Sequence, residues 1–203
     1  MTQTNITKIE AARRQIDTAI ELMFLGYDPI PIHTIIAAAS RIVRDLSEQA
    51  NTLGWQKLME AITPGSERVV LGGFNKYSNF FKHADTDPNA VINEISETLN
   101  ENILIITTGL YRYLSSMTSY MIAYEAWHMH FYPEQWDIDR MMKEDPKLAS
   151  IAFCNPEEIA NISRSQKLQD GILRLRLADK LSQFSQVPSQ TRRPSGPCLP
   201  SGR

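Results

Sequence analysis

Apolar residues recur along this chain at intervals of three and four, the spacing that places them on one face of a helix. Ile9, Ala12, Ile16, Ala19, Ile20 and Met23 form the first stripe. Thr4 or Asn5 is its expected cap. Gly26-Tyr27-Asp28-Pro29 is its expected stop, because glycine admits the left-handed conformation and a residue before proline is pushed out of the helical region. A second stripe, Ile32, Ile35/Ile36, Ala39, Ile42/Val43 and Leu46, predicts a helix over about residues 32–51, with Arg41, Arg44, Asp45 and Glu48 outside or flanking it. Trp55 to Ile62 reads as a shorter helix ended by Thr63-Pro64-Gly65. Another runs from Glu67 to about His83. Gly72-Gly73 weakens its middle by about 1 kcal/mol per glycine, which points to a kink or a close helix contact.

Asp85-Thr86-Asp87-Pro88 reads as a turn, with Asp87 as N-cap and Pro88 as first residue of the next helix. That helix carries Ile92, Ile95, Leu99, Ile103, Ile106 and Leu110, with an expected break near Asn100-Glu101-Asn102. Residues 103–132 are apolar on most sides, as a buried helix would be. Ser115-Ser116 divides them into two antiparallel core helices, the second ended by Tyr132-Pro133. Short helices are expected at about 134–144 and 156–163, and a last one over 165–185 on Leu168, Ile172, Leu175, Ala178 and Leu181. No segment alternates with period two between turn signals, so strands are not expected. The expected fold is all-α: a single-domain bundle of about seven helices over residues 1–185, its core built from 9–46 and 92–128. From Gln186 the chain holds four prolines, three serines and two glycines, so 186–203 is expected to be a disordered, dispensable tail.

Composition narrows the function classes. The 203 residues are 42% hydrophobic and 22% charged, which suits a folded chain able to bury a core without staples. The net charge is -2. Arg192, Arg193 and Arg203 sit in the tail without an acid, so setting them aside leaves -5 for residues 1–185. No basic excess advertises duplex DNA or an anionic membrane. Two scattered cysteines, Cys154 and Cys198, make no disulfide framework and fit a reducing cytoplasm. No run of about 20 apolar residues provides a membrane span. No GxGxxG, GxxxxGK[ST], HExxH or GxSxG occurs, which removes the ordinary nucleotide-binding, zinc-protease and α/β-hydrolase readings.

The most distinctive stretch is Asn75 to Pro88. On a helix Lys76, Asn79 and His83 share one face, with Lys76 and His83 about 10 Å apart along the axis. A cation, an amide and an imidazole in that order can hold a phosphate, orient the ring and move a proton. Lys76, Asn79 and His83 are therefore the candidate catalytic residues. The same stretch also has a plain structural reading, since Lys82 and His83 near a helix C-terminus interact with its dipole. Glu125 and His128 are a weaker candidate. Glu-x-x-His puts both on one face, but di-iron bundles need two such motifs and further carboxylates, and His130 points elsewhere. His33, at the start of the second helix, reads as a capping or packing residue that could approach the stripe at His83. Asp85 and Asp87 read as turn and cap, not as cation ligands. No metal or cofactor is expected.

The sequence Asn79-Phe80-Phe81-Lys82-His83-Ala84-Asp85 with Asp87-Pro88 resembles the signature of an uncharacterised bacterial family of all-helical proteins. The opening AARRQIDTAIELMFLGYDPIPIHTIIAAASRIVRDL is similar to the start of that family, and the resemblance covers about residues 8–135. A weaker likeness is to HEPN domains, helical bundles that include metal-independent ribonucleases with an Arg-x(4–6)-His motif. Here Asn79 and His83 match, Ser78 stands where the arginine would be, and Lys76 is the nearest cation. Arginine and lysine are not interchangeable at a bidentate phosphate contact. Three functions are open to such a chain: a non-enzymatic protein acting through a protein partner or self-association, an HEPN-like ribonuclease with RNA as partner, and a ligand- or metal-binding bundle. The first is the expectation, with a homo-oligomer or protein partner.

Overall fold

A computed structural model describes residues 5–61, 67–83, 85–135, 159 and 161–185. Among them are seven α-helices, one short 3-10 turn and no strand. The expected short helix at 134–144 falls almost wholly outside the described residues, and the tail wholly so; of that at 156–163, residues 156–158 and 160 lie outside them and 161–163 are not helical.

Helix α1 spans Lys8–Phe24. Its N-cap is Thr7, not Thr4 or Asn5. Thr7 is extended, its hydroxyl accepts from the Glu10 amide, and Thr7-Lys8-Ile9-Glu10 has the spacing of a capping box. Gly26 closes the helix at φ +71°. Tyr27 N–H reaches Leu22 O at 3.1 Å and Gly26 N–H reaches Met23 O at 3.0 Å, the paired bonds of a Schellman motif.

The stop signal is also a start. Helix α2, Pro29–Gln49, begins three residues earlier than its stripe predicts, because Asp28 accepts from the Ile30 amide at 2.8 Å and Pro29 fills the first position. Arg44 belongs to its inner face. It is 6% exposed and donates to Asn75 Oδ1 at 3.2 Å. Helix α3, Leu53–Ala61, follows an Asn51 in the left-handed region.

Helix α4 spans Glu67–Phe80, three residues short of His83. It runs through Gly72 without interruption, and a Cβ there would meet nothing within 4 Å, so no close contact exists at that position. The expected helix start at Asp87-Pro88 is absent. Ala90 N–H bonds Asp87 O at 2.9 Å in a turn, residues 91–96 are non-helical, and α5 begins at Glu97. Asn89, Val91, Ile92 and Asn93 are poor helix formers, and Val91 is 94% exposed, so nothing rewards winding them.

Helix α5, Glu97–Tyr111, passes unbroken through Asn100-Glu101-Asn102. The first two of these polar residues have interior work. Asn100 bonds His33 and Pro29 O, and the buried Glu101 pairs with Arg164. The division at Ser115-Ser116 stands: α6 is Ser119–Phe131, capped by Thr118 and ended at Tyr132. Helix α7 is Arg164–Ser185, and Ser163 and Gln166 cap it reciprocally.

The main packings are α1 on α2, α2 on α5, and α6 on α7. The core runs from Ala12 to Val43 and from Ile103 to Phe131, as expected, and also takes in Ile159 and Leu175. Trp127 is its centre. It is fully buried, meets Phe24 edge-on at 5.1 Å, and donates its indole N–H to Lys167 O at 2.7 Å.

Candidate functional site

The stripe is at the surface. Lys76 and Asn79 lie on α4, and His83 follows its end, with His83 N–H bonded to Asn79 O at 3.1 Å. All three are exposed and line one open recess of about 550 Å³ together with Phe80, Thr86, Asp87 and Asn93. The turn after the helix folds back on His83: Thr86 N–H bonds His83 O at 3.0 Å. His83 Nδ1 stands 4.0 Å from Asp85 Oδ1, with both side chains more than half exposed. Lys76 Nζ lies 5.6 Å from the Tyr77 ring. Among the described residues lining the recess there is no arginine. The periodicity therefore brings the three residues together, in a setting open to water.

His33 does not join them. It is fully buried and meets α4 from the inside, edge-on to Tyr77 at 5.6 Å and to Phe81 at 6.1 Å. Asn100 Nδ2 donates to Pro29 O at 2.9 Å, so Asn100 Oδ1 accepts, and His33 Nδ1 donates to it at 2.9 Å. His33 Nε2 is buried with no hydrogen-bond partner among the described residues. Burial pushes this imidazole below its ordinary pKa, opposed in part by the Asn100 bond and reinforced by Lys82.

A second polar site lies between α5 and α6. Arg112, the residue that ends α5, bonds the Glu125 carboxylate of α6 through Nη2. The Glu125 side chain is 10% exposed and that of Arg112 is 46% exposed. Burial raises the Glu125 pKa, while Arg112 and the Thr108 hydroxyl pull it back. His128, one turn further along α6, is buried, which brings its pKa down to about 4 and keeps the ring neutral at pH 7. Glu125 and His128 do share a face, as their spacing requires. The carboxylate's partner is a cation, where a metal centre would need more carboxylates. Among the described residues no three His, Cys, Asp or Glu side chains gather as metal ligands. Sequence reasoning overlooked Arg112. The signal was present: Arg112 and Glu125 are charges of opposite sign in an otherwise apolar stretch, where each must find a partner.

A third feature is apolar. Ile122, Ala123 and Ala126 of α6 and Leu177 and Ala178 of α7 line a groove of about 380 Å³, with Arg174 at its edge. Ile122 is 57% exposed, Leu173 61%, Leu177 58% and Leu181 58%. Leu173, Leu177 and Leu181 follow one another at four-residue intervals, one line along α7.

No protein-family model matches the chain, and no curated protein or solved structure matches it either. No helix among the described residues is long and apolar enough to cross a membrane.

Proposed function

We propose that the protein acts by association and that its partner is a second copy of the same chain. The observation that carries this reading is the exposed aliphatic line on α7 beside Ile122 of α6. Large aliphatic side chains left in water on one continuous face mark a surface that another protein covers. The charges around the groove favour self-pairing. Asp170, Arg174, Arg176, Asp179 and Lys180 mix both signs along α7, and Arg174 is already neutralised by Asp170 at 2.5 Å. A face of one sign would repel its own copy across a two-fold axis, whereas a mixed face can meet it. Sedimentation velocity of the full chain tests this. The wild type is expected to sediment as a dimer, and Leu177→Glu as a monomer of unchanged helical content. A wild type that stays monomeric up to about 100 µM overturns the reading.

A second reading has its own support, the gathering of Lys76, Asn79 and His83 in one recess. In an RNA-cleaving protein His83 would transfer the proton, Lys76 hold the phosphate and Asn79 orient the ring. His83→Ala should then lower cleavage of single-stranded RNA by about 10²–10⁴-fold. If the histidine serves only the helix end, the wild type cleaves nothing and the variant loses only about 0.3–1 kcal/mol of stability.

A further inference from the structure

We propose that the recess between α5 and α6 binds a neutral planar heterocycle with a lactam edge, the class of the oxo-purines and oxo-pyrimidines. Ile105, Ile106, Gly109 and Tyr113 form the apolar part of this recess, and Arg112, Glu125, His128 and Gln135 the polar part, around about 300 Å³. The site lies on a different face of α6 from the apolar groove and does not depend on association.

Gly109 leaves one wall of the recess bare. A Cβ placed on Gly109 would meet nothing within 4 Å, so α5 offers bare backbone against which a flat ring can lie. At the polar end the charges cancel. Glu125 is paired with Arg112, and His128 is uncharged at pH 7 because burial disfavours its protonated form. A free anion would face the Glu125 carboxylate, and a free cation would have to displace Arg112 from it. A neutral molecule meets neither cost.

What the pair does offer is a strong acceptor beside a strong donor. A guanidinium carries five N–H groups, of which Glu125 engages Nη2, and the half-exposed remainder can reach a ligand carbonyl. A carboxylate can accept about four hydrogen bonds, and Arg112 does not exhaust them. An N–H and a C=O on adjacent ring atoms match that order: the N–H donates to Glu125 and the C=O accepts from Arg112. Both bonds are charge-assisted, so losing either is costly.

Titration calorimetry of the full chain with hypoxanthine and with 1-methylhypoxanthine tests the proposal. Hypoxanthine is expected to bind. Its methylated form, which lacks the N–H, is expected to bind at least about tenfold more weakly. Gly109→Leu puts an aliphatic side chain into the recess from a position where a Cβ meets nothing within 4 Å, and it improves helix propensity, so it should fold normally and lose hypoxanthine at least about tenfold. Gly72→Ala, an equally open glycine on α4, should bind as the wild type does. No binding of hypoxanthine, equal binding of the two purines, or undiminished binding by Gly109→Leu would each overturn the proposal.

Discussion

At the scale of single residues, two helical glycines have opposite reasons to be glycine. A Cβ on Gly171 of α7 would lie 2.2 Å from Phe24 Cδ1, and Phe24 is 1% exposed, held edge-on by Trp127. The ring cannot retreat, so the glycine is what lets α1 and α7 approach. Gly109 of α5 faces open space. The same substitution should therefore change sign between them. Gly171→Ala is expected to cost about 1–3 kcal/mol through overpacking. Gly109→Ala should gain about 0.5–1 kcal/mol by removing backbone freedom from the unfolded chain. Urea denaturation midpoints of the two variants decide it, and a destabilised Gly109→Ala would mean that the recess is not open. Nothing in the local sequence separates these positions, since each glycine sits among residues suited to a helix.

At the scale of elements, the dipeptide Asp-Pro occurs twice among the described residues, with different outcomes. Asp28-Pro29 opens α2, whereas Asp87-Pro88 opens only a turn. The capping chemistry is identical, so the residues after each proline decide. After Pro29 come aliphatic residues whose inner face, Ile32, Ile36, Ala39 and Val43, is almost wholly buried. After Pro88 come Asn89, Ala90 and a fully exposed Val91, and burial resumes only at Ile95. Helix stability in proteins comes mostly from such packing and less from the cap. Asp28→Ala should cost about 0.5–2 kcal/mol, the range for a lost N-cap. Asp87→Ala should change stability by less than about 0.5 kcal/mol, as at an ordinary surface position. Equal losses in a thermal melt of the two variants would show that the Asp87 turn carries more structural weight than its hydrogen bonds indicate.

At the scale of the molecule, buried histidines make stability depend on pH. His33 and His128 both have folded pKa values below the ordinary 6.5, His128 at about 4, chiefly through burial. At these two positions the unfolded chain therefore binds more protons below pH 6.5 than the native one. For His128 the contribution of the neutral ring is complete above pH 6.5 and is lost as pH falls toward about 4, and His33 acts in the same direction. For His128 the full loss is on the order of 3 kcal/mol. Glu125 acts in the opposite sense, since its raised folded pKa lets the native state take up a proton first on acidification. The test is a difference: the fall in melting temperature between pH 7 and pH 4 should be clearly smaller in His128→Gln than in the wild type. An equal fall in both would show that His128 is protonated in the native state without penalty.

Much of this molecule was written locally. The 3.6-residue stripes on α1, α2 and α7, the stop at Gly26, the division at Ser115-Ser116 and the gathering of Lys76, Asn79 and His83 at one recess all come from spacing and backbone preference, which act within a few residues. The remainder depended on partners far along the chain. Asn100-Glu101-Asn102 reads as a break until His33, Pro29 and Arg164 are there to satisfy its polar groups inside a helix. Arg44 reads as a flanking charge until Asn75 meets it, and Arg112 as an isolated one until Glu125 does. His33 belongs to the interior and not to the stripe because Tyr77 of α4 and Phe81, just past its end, face it. Burying a polar group is tolerable only when its hydrogen bonds are supplied. That supply comes from residues far along the chain, 71 positions away for Asn100 and Pro29, where no local pattern can announce it.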